Sequence, residues 1–261
     1  MEPEGFLNGV PASVTVIVLS VDLIVAALVT YGAGHAARSL ELPAERTASI
    51  VVRTRVCLLV VIAMGLIIGA FRPDPADGLQ VVVFLTYVLS LAVAGFAVPL
   101  RFETTRRIID AIPHSWLVGF QFYRNVGGLF LVLVPATLPQ FFARPAGVGD
   151  LIAGVGAIPV AYMIYTGAPG WFPVAMAWNV FGALDYLMAL GIGSLILKAP
   201  AVAIFGDSAT STTPLPRLPL VAIPTFVVPL GLALHAHSIR RLLRERSGRQ
   251  GRVQSGRATP D

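Results

Sequence analysis

With 261 residues, 56% of them hydrophobic and only 13% charged, and a mean hydropathy of +0.77, the chain carries more apolar surface than a soluble domain of its size can bury. This excludes an ordinary soluble globular protein, and the surplus is expected to face lipid. The net charge of +5 and pI near 9.9 do not point to nucleic acid, because the basic residues sit in short loops and in a tail from Arg240 to Arg257 with no aromatic interleaving.

A membrane-spanning helix needs about 20 mostly apolar residues at ~1.5 Å rise each. The predicted fold is therefore all-α, a polytopic transmembrane bundle over residues 1–239, with residues 240–261 as a basic, disordered cytoplasmic tail. The first span is read from Ala12 to Tyr31 and holds Asp22. The start Met1-Glu2-Pro3-Glu4 lacks the basic region of a secretory signal, so this span is expected to be retained.

The second span runs from Ile50 to Phe71. Its Gly65 and Gly69 form a small-xxx-small pair suited to close packing within the bundle. Its Cys57, the single cysteine of the chain, excludes an intrachain disulfide and is expected to be a buried packing residue. The turn Arg72-Pro73-Asp74-Pro75 leads to the third span, Leu79 to Leu100. Arg101 to His114 follows as an interfacial helix, with Glu103, Arg106, Arg107 and Asp110 spaced for pairing on its wet side.

The fourth span, Trp116 to Leu138, holds Arg124. At 3.6 residues per turn Gln121, Arg124, Asn125 and Gly128 share one face. The fifth, Leu151 to Tyr165, is short and interrupted by Pro159, so a re-entrant segment with six true spans is the alternative. The sixth, Phe172 to Leu197, carries Asn179, Gly182, Asp185 and Tyr186 on one face. The seventh, Leu218 to His235, has Pro219, Pro224 and Pro229; a helix interrupted in this way frees the carbonyls of Leu220 and Thr225 and can line a transport cavity.

Basic residues are held on the cytoplasmic face during insertion. With seven spans and the N-terminus outside, that face carries Arg38, Arg46, Arg53, Arg55, Arg101, Arg106, Arg107 and the seven tail arginines, against Arg72, Arg144, Lys198 and Arg217 outside. The arginine-heavy, lysine-poor composition fits a GC-rich bacterial genome and hence the bacterial inner membrane.

The chemistry-bearing candidates are the ionisable groups within spans. A mid-bilayer charge costs ~2.5–3.5 kcal/mol on insertion scales, so Arg124 should face inward and meet a carboxylate. The paired polar-plus-glycine stripes predict an Arg124 to Asp185 contact between the fourth and sixth spans, with Asp22 completing the network or titrating nearby. A tether fixing helix register and a site for an anion, proton or small polar solute are the two readings of such a network.

All four histidines, His35, His114, His235 and His237, fall near the predicted cytoplasmic interface, where anchoring is the expected role; no ligand spacing supports a metal or haem, and no cofactor is expected. The sole lysine, Lys198, lies outside the seventh span, which argues against a retinal Schiff base. No P-loop, H-E-x-x-H or G-x-S-x-G motif occurs.

Four segments carry a resemblance: Ile112-Pro113-His114-Ser115-Trp116-Leu117-Val118-Gly119-Phe120-Gln121-Phe122-Tyr123-Arg124, Phe142-Ala143-Arg144-Pro145-Ala146-Gly147-Val148-Gly149-Asp150, Ala177-Trp178-Asn179-Val180-Phe181-Gly182-Ala183-Leu184-Asp185 and Ile223-Pro224-Thr225-Phe226. Together they resemble a group of uncharacterised bacterial integral membrane proteins, over roughly the second half of the chain. The resemblance implies a membrane protein and no substrate. It places Arg124, Asp150, Asn179 and Asp185 within the shared segments, although an Asp just before the fifth span is expected to cap that helix.

The leading expectation is an inner-membrane protein whose polar core, built from Asp22, Gln121, Arg124, Asn125, Asp150, Asn179, Asp185 and Tyr186, binds or transports a small solute or ion. The alternative is a non-catalytic accessory subunit held together by that network, its tail meeting a protein partner or anionic lipid. A membrane enzyme using cytoplasmic-face histidines ranks third.

Overall fold

The computed structural model describes residues 6–7, 10–70, 78–133, 138–195 and 215–257. Lys198, Arg72, the Arg72-Pro73-Asp74-Pro75 turn and the outer ends of the second, fourth and sixth predicted spans lie outside the described residues.

A two-residue hairpin, β1 (Phe6–Leu7) with β2 (Val10–Pro11), precedes an otherwise helical chain. The helices are α1 (Ala12–Ser39), α2 (Ala44–Ala70), α3 (Gly78–Arg101), α4 (Glu103–Ala111), α5 (His114–Gly119), a 3₁₀ helix (Phe120–Gly128), α6 (Leu129–Val132), α7 (Gln140–Thr166), α8 (Trp171–Leu195), a π-helical turn (Ile223–Val227) and α9 (Val228–Arg257). Five helices, α1, α2, α3, α7 and α8, are long and apolar enough to cross a membrane. Their outward faces are apolar: Val16, Ile24, Val60 and Val93 are each more than half exposed, as lipid contact allows and water would not.

The fifth predicted segment is not short. It begins at Gln140, and Pro145 and Pro159 are both accommodated within its 27 residues. It ends where Gly167 takes a left-handed φ of 64°, a conformation a side chain would strain, and the amide of Ala168 closes the turn on the Met163 carbonyl at 3.1 Å.

The fourth predicted span departs most from expectation. Instead of one α-helix, residues 114–132 wind as α5, nine residues of 3₁₀ helix and the single turn of α6. The strong polar character of Gln121 and Arg124 explains why: their side chains are held by contacts to other elements, and those contacts outweigh the poorer 3₁₀ hydrogen bonds.

The prolines break the start of the seventh segment as foreseen. The Leu220 carbonyl, deprived of a partner by Pro224, accepts instead from the Ile223 amide at 3.1 Å, and the turn then widens to π geometry. Gly65 and Gly69 of α2 lie against this turn, facing Thr225 and Val221; a methyl group at Gly65 would come within 2.8 Å of Thr225 Cβ. The Thr225 hydroxyl donates back to the Val221 carbonyl at 2.7 Å, so that buried hydroxyl is satisfied.

Two expectations are corrected. Residues 240–257, read as a disordered tail, continue α9 as helix, because Arg240, Arg241 and Arg244 are tied to α4 and the segment that follows it. Cys57, read as buried, is exposed on α2.

Candidate functional site

A 3₁₀ helix repeats every three residues, so positions i, i+3 and i+6 eclipse. Gln121, Arg124 and Gly127 accordingly form the buried stripe of this element. Asn125, placed on the same face by the α-helical period, is turned away from it, and its Nδ2 donates to the Phe122 carbonyl at 2.6 Å. Gln121 is fully buried and its Nε2 donates to the Gly231 carbonyl of α9 at 3.1 Å.

Arg124 is the centre of the site, with a side chain that exposes nothing. Its Nε donates to Asp150 Oδ1 of α7 at 2.9 Å, and its Nη2 donates to Asp185 Oδ2 of α8. Its Nη1 donates to the Gly182 carbonyl at 3.0 Å and to His235 Nε2 of α9 at 3.2 Å. The guanidinium carbon lies 3.8 Å from the centroid of the Tyr186 ring, a cation–π contact. The Arg124–Asp185 contact predicted from helical phase is thus present, and three helices converge on one guanidinium.

The donor at Arg124 Nη1 fixes the state of His235. Its Nε2 must accept, so the proton is on Nδ1, which donates to Asn179 Oδ1 at 3.0 Å. Asn179 Nδ2 donates in turn to the Ala175 carbonyl at 2.7 Å. On the other flank the Tyr123 hydroxyl donates to the Val227 carbonyl at 3.0 Å and receives the Tyr186 hydroxyl at 3.3 Å.

Close approach of the backbones makes this convergence possible. Gly127 lies against Asp150, Gly149 against Asp185, and Gly182 against both His235 and Arg124; a methyl at Gly182 would fall within 2.9 Å of Arg124 Nη1. Each carboxylate thus reaches Arg124 past a glycine.

Several sequence expectations need correction. Asp150 does not cap a helix: α7 begins ten residues earlier, and Asp150 stands within it as the second acidic partner of Arg124. Asp22 is buried at 1% exposure but does not join the cluster; its Oδ2 has no hydrogen-bond partner among the described residues. His235 is no interfacial anchor, being fully buried at the core of the network. The four histidines are not brought together: His35 packs on Trp116, His114 meets the Ser238 hydroxyl at 2.9 Å, and His237 donates to the Gly95 carbonyl at 3.1 Å.

Sequence reasoning missed His235 and Tyr123. The signal for His235 was present: Gly231 and His235 stand four apart on α9, repeating the glycine-plus-polar stripe of α8.

A cavity of about 60 Å³ leads to this cluster, walled by Phe84, Phe130, Phe142, Leu190, Ile223 and Val228, with Asp150 and Tyr186 among its lining. Asp150 keeps 13% of its side chain exposed, against 4% for Asp185 and none for Arg124, so it is the charged member that reaches the open space.

At the far end of α9 lies a second polar contact. Asp110 of α4 accepts from Arg240 and, at 2.9 Å, from Arg244, while Arg241 Nη1 donates to the Ile112 carbonyl at 2.6 Å. Burial works to raise the Asp110 carboxyl, but the hydrogen bonds from Arg244 and Arg240 outweigh it and hold the group below the ordinary carboxylate range.

Long apolar helices with lipid-suited faces, packed around a buried ion cluster, are the features of a multi-pass helical membrane protein. Within that class the chain belongs to the family described as a domain of unknown function, DUF8737, which matches residues 78–243. All four of the resembling segments fall in that range. No curated protein and no solved structure matches the chain.

Proposed function

We propose that this is a bacterial inner-membrane protein that binds a small solute or ion at the Arg124–Asp150–Asp185 centre and passes it across the bilayer. The observation that carries the reading is the apolar cavity that reaches Asp150 and Tyr186. A tether that merely fixed helix register would be stronger fully enclosed, since low local dielectric strengthens an ion pair and access for water weakens it.

Depth supports the same reading. Asp150 lies ten residues from the start of α7, roughly 15 Å along the axis at ~1.5 Å per residue, about half of a ~30 Å hydrocarbon layer. Ionisable groups at that depth are expensive and commonly mark solute pathways.

The proposed topology has seven crossings with the N-terminus outside and α9 ending in the cytoplasm. The five long helices would be joined by two interrupted paths, Trp116 to Val132 and the π-helical turn with α9, leaving His114 at the interface. Ile108 of α4 packs with Ala36 near the end of α1, which puts α4, the Arg38 end of α1 and the arginines of α9 on one side. The basic tail beyond Arg244 would then lie against anionic headgroups. Fluorescent reporters on each terminus test this: opposite sides are expected, and both ends in the cytoplasm would overturn it.

Transport is tested in vesicles holding the purified chain and an entrapped pH dye, under imposed proton, sodium or ammonium gradients. A flux lost in Asp150→Asn, with wild-type helicity retained, is the expected result. Equal flux from both proteins, or none from either under all gradients, would overturn the transport reading.

A further inference from the structure

The cavity and the charge balance of the cluster together name a ligand class. We propose that the site takes a small organic cation, an alkylammonium whose charged head meets Asp150 while its apolar tail lies among Phe84, Phe130, Phe142 and Leu190. This rests on the reading that the Arg124 centre is a binding site and specifies what binds there.

Sign comes first. Arg124 brings one positive charge, Asp150 and Asp185 two negative ones, and His235 is neutral because its Nε2 accepts from Arg124. With both carboxylates ionised, the centre is therefore one positive charge short. The guanidinium is a poor anion site, because four of its five N–H donors are spent on Asp150, Gly182, His235 and Asp185 and it does not line the cavity. The charged group that reaches the cavity is a carboxylate, Asp150.

Chemistry of the walls comes second. A bare metal ion needs several oxygen ligands to replace its water, and the cavity offers only Asp150, Tyr186 and Ser194 among an otherwise apolar lining. A proton needs no apolar chamber. An ammonium bearing a short alkyl chain uses both halves, since its head forms a charge-assisted hydrogen bond and its tail removes apolar surface from water. The rings of Phe130 and Phe142, which meet edge-on at 5.5 Å, supply apolar wall for that tail.

Size comes third. About 60 Å³ is room for on the order of four water-sized probes, which admits a chain of a few carbons and excludes bulky ring systems.

The test compares n-butylammonium, n-butanol and butyrate binding to the full chain in lipid nanodiscs by calorimetry. These share one tail and differ in charge. Butylammonium is expected to bind at least tenfold more tightly than butanol, with butyrate weakest. Asp150→Asn should bring butylammonium to the level of butanol. Should that variant fold poorly, Leu190→Trp fills the cavity while keeping every charged member of the cluster, and is expected to abolish butylammonium binding with wild-type helicity retained. Equal affinity for the three probes, a preference for butyrate, or undiminished binding by Leu190→Trp would overturn the proposal. Absent butylammonium binding combined with Asp150-dependent proton flux would discard the organic cation alone; absence of both would discard the binding site as well.

Discussion

Gly127 of the 3₁₀ helix lies so close to Asp150 of α7 that no side chain fits between them: a methyl group there would come within 2.6 Å of Asp150 Cγ. The pairing of Arg124 with Asp150 depends on that missing methyl, since any Cβ would push α7 outward and stretch the 2.9 Å bond to Arg124 Nε.

Gly127→Ala is accordingly expected to destabilise the protein by ~1–3 kcal/mol, the usual cost of overpacking. Gly191→Ala is the matched control, because nothing lies within 4 Å of its would-be Cβ; there the change should be neutral or stabilising by up to ~1 kcal/mol through helix propensity. Thermal unfolding of both variants in detergent checks the contrast, and indistinguishable melting would refute the close packing.

Arg124→Leu leaves two buried carboxylates facing each other without their cation. A loss of ~3–5 kcal/mol is expected, as for other buried pairs deprived of one partner. Combining it with Asp150→Asn and Asp185→Asn removes the stranded charges and should restore most of that loss. Unfolding midpoints of the single and triple variants measure the effect; a triple variant no better than the single one would show that charge was not the cause.

His235→Ala deprives Asn179 Oδ1 of its donor and Arg124 Nη1 of one acceptor. Leaving those groups unsatisfied is expected to cost ~1–3 kcal/mol. Nitrogen-15 magnetic resonance of the wild type offers a direct check, since it should find His235 neutral with its proton on Nδ1; the opposite tautomer would contradict the order of donors and acceptors described above.

Stability should also fall in mild acid, through His114. Burial, aided by the positive charge of Arg241, lowers the His114 imidazole from its ordinary 6.5 to about 4. The unfolded chain therefore takes up a proton that the folded one refuses, so the contribution is fully present above about 6.5, declines as pH falls, and is gone below about 4. Glu245, 3.9 Å from His114 Nδ1, offers a weak partner to the protonated ring and softens the loss. Asp110 acts lower, its contribution present above the ordinary value of 3.8 and lost as pH falls through its depressed folded value. A pH series of unfolding midpoints should flatten between 6.5 and 4 in His114→Gln; an unchanged slope would assign the acid sensitivity elsewhere.

Hydropathy and phase made much of this molecule legible. Apolar run length located the five long helices to within a few residues at most ends, and the stripe Asn179, Gly182, Asp185 and Tyr186 placed the α8 half of the cluster on the correct face. Part of what was lost traces to the assumption of a uniform 3.6-residue period. It misassigned Asn125 to the buried stripe, where Gly127 belongs. Nothing local in the sequence announces 3₁₀ winding, because the contacts that enforce it come from α7, α8 and α9. Asp150 was misread for a related reason: α7 starts eleven residues before its apolar run does, so a residue near the apparent helix end is interior. Tertiary pairing, not propensity, likewise ordered Arg240 to Arg244 by offering Asp110 as a partner.

Tight winding also changes reach. At ~2.0 Å per residue the nine residues of the 3₁₀ segment extend roughly 18 Å, where α geometry would give them roughly 13.5 Å. Rewinding to α would shorten this path by nearly a full helical turn and swing Gly127 about a third of a revolution relative to Gln121, parting the glycine from its carboxylate. Length and rotational phase are thus coupled in this part of the bundle: an inserted or deleted residue between Phe120 and Gly128 would disengage the guanidinium from at least one of its acids.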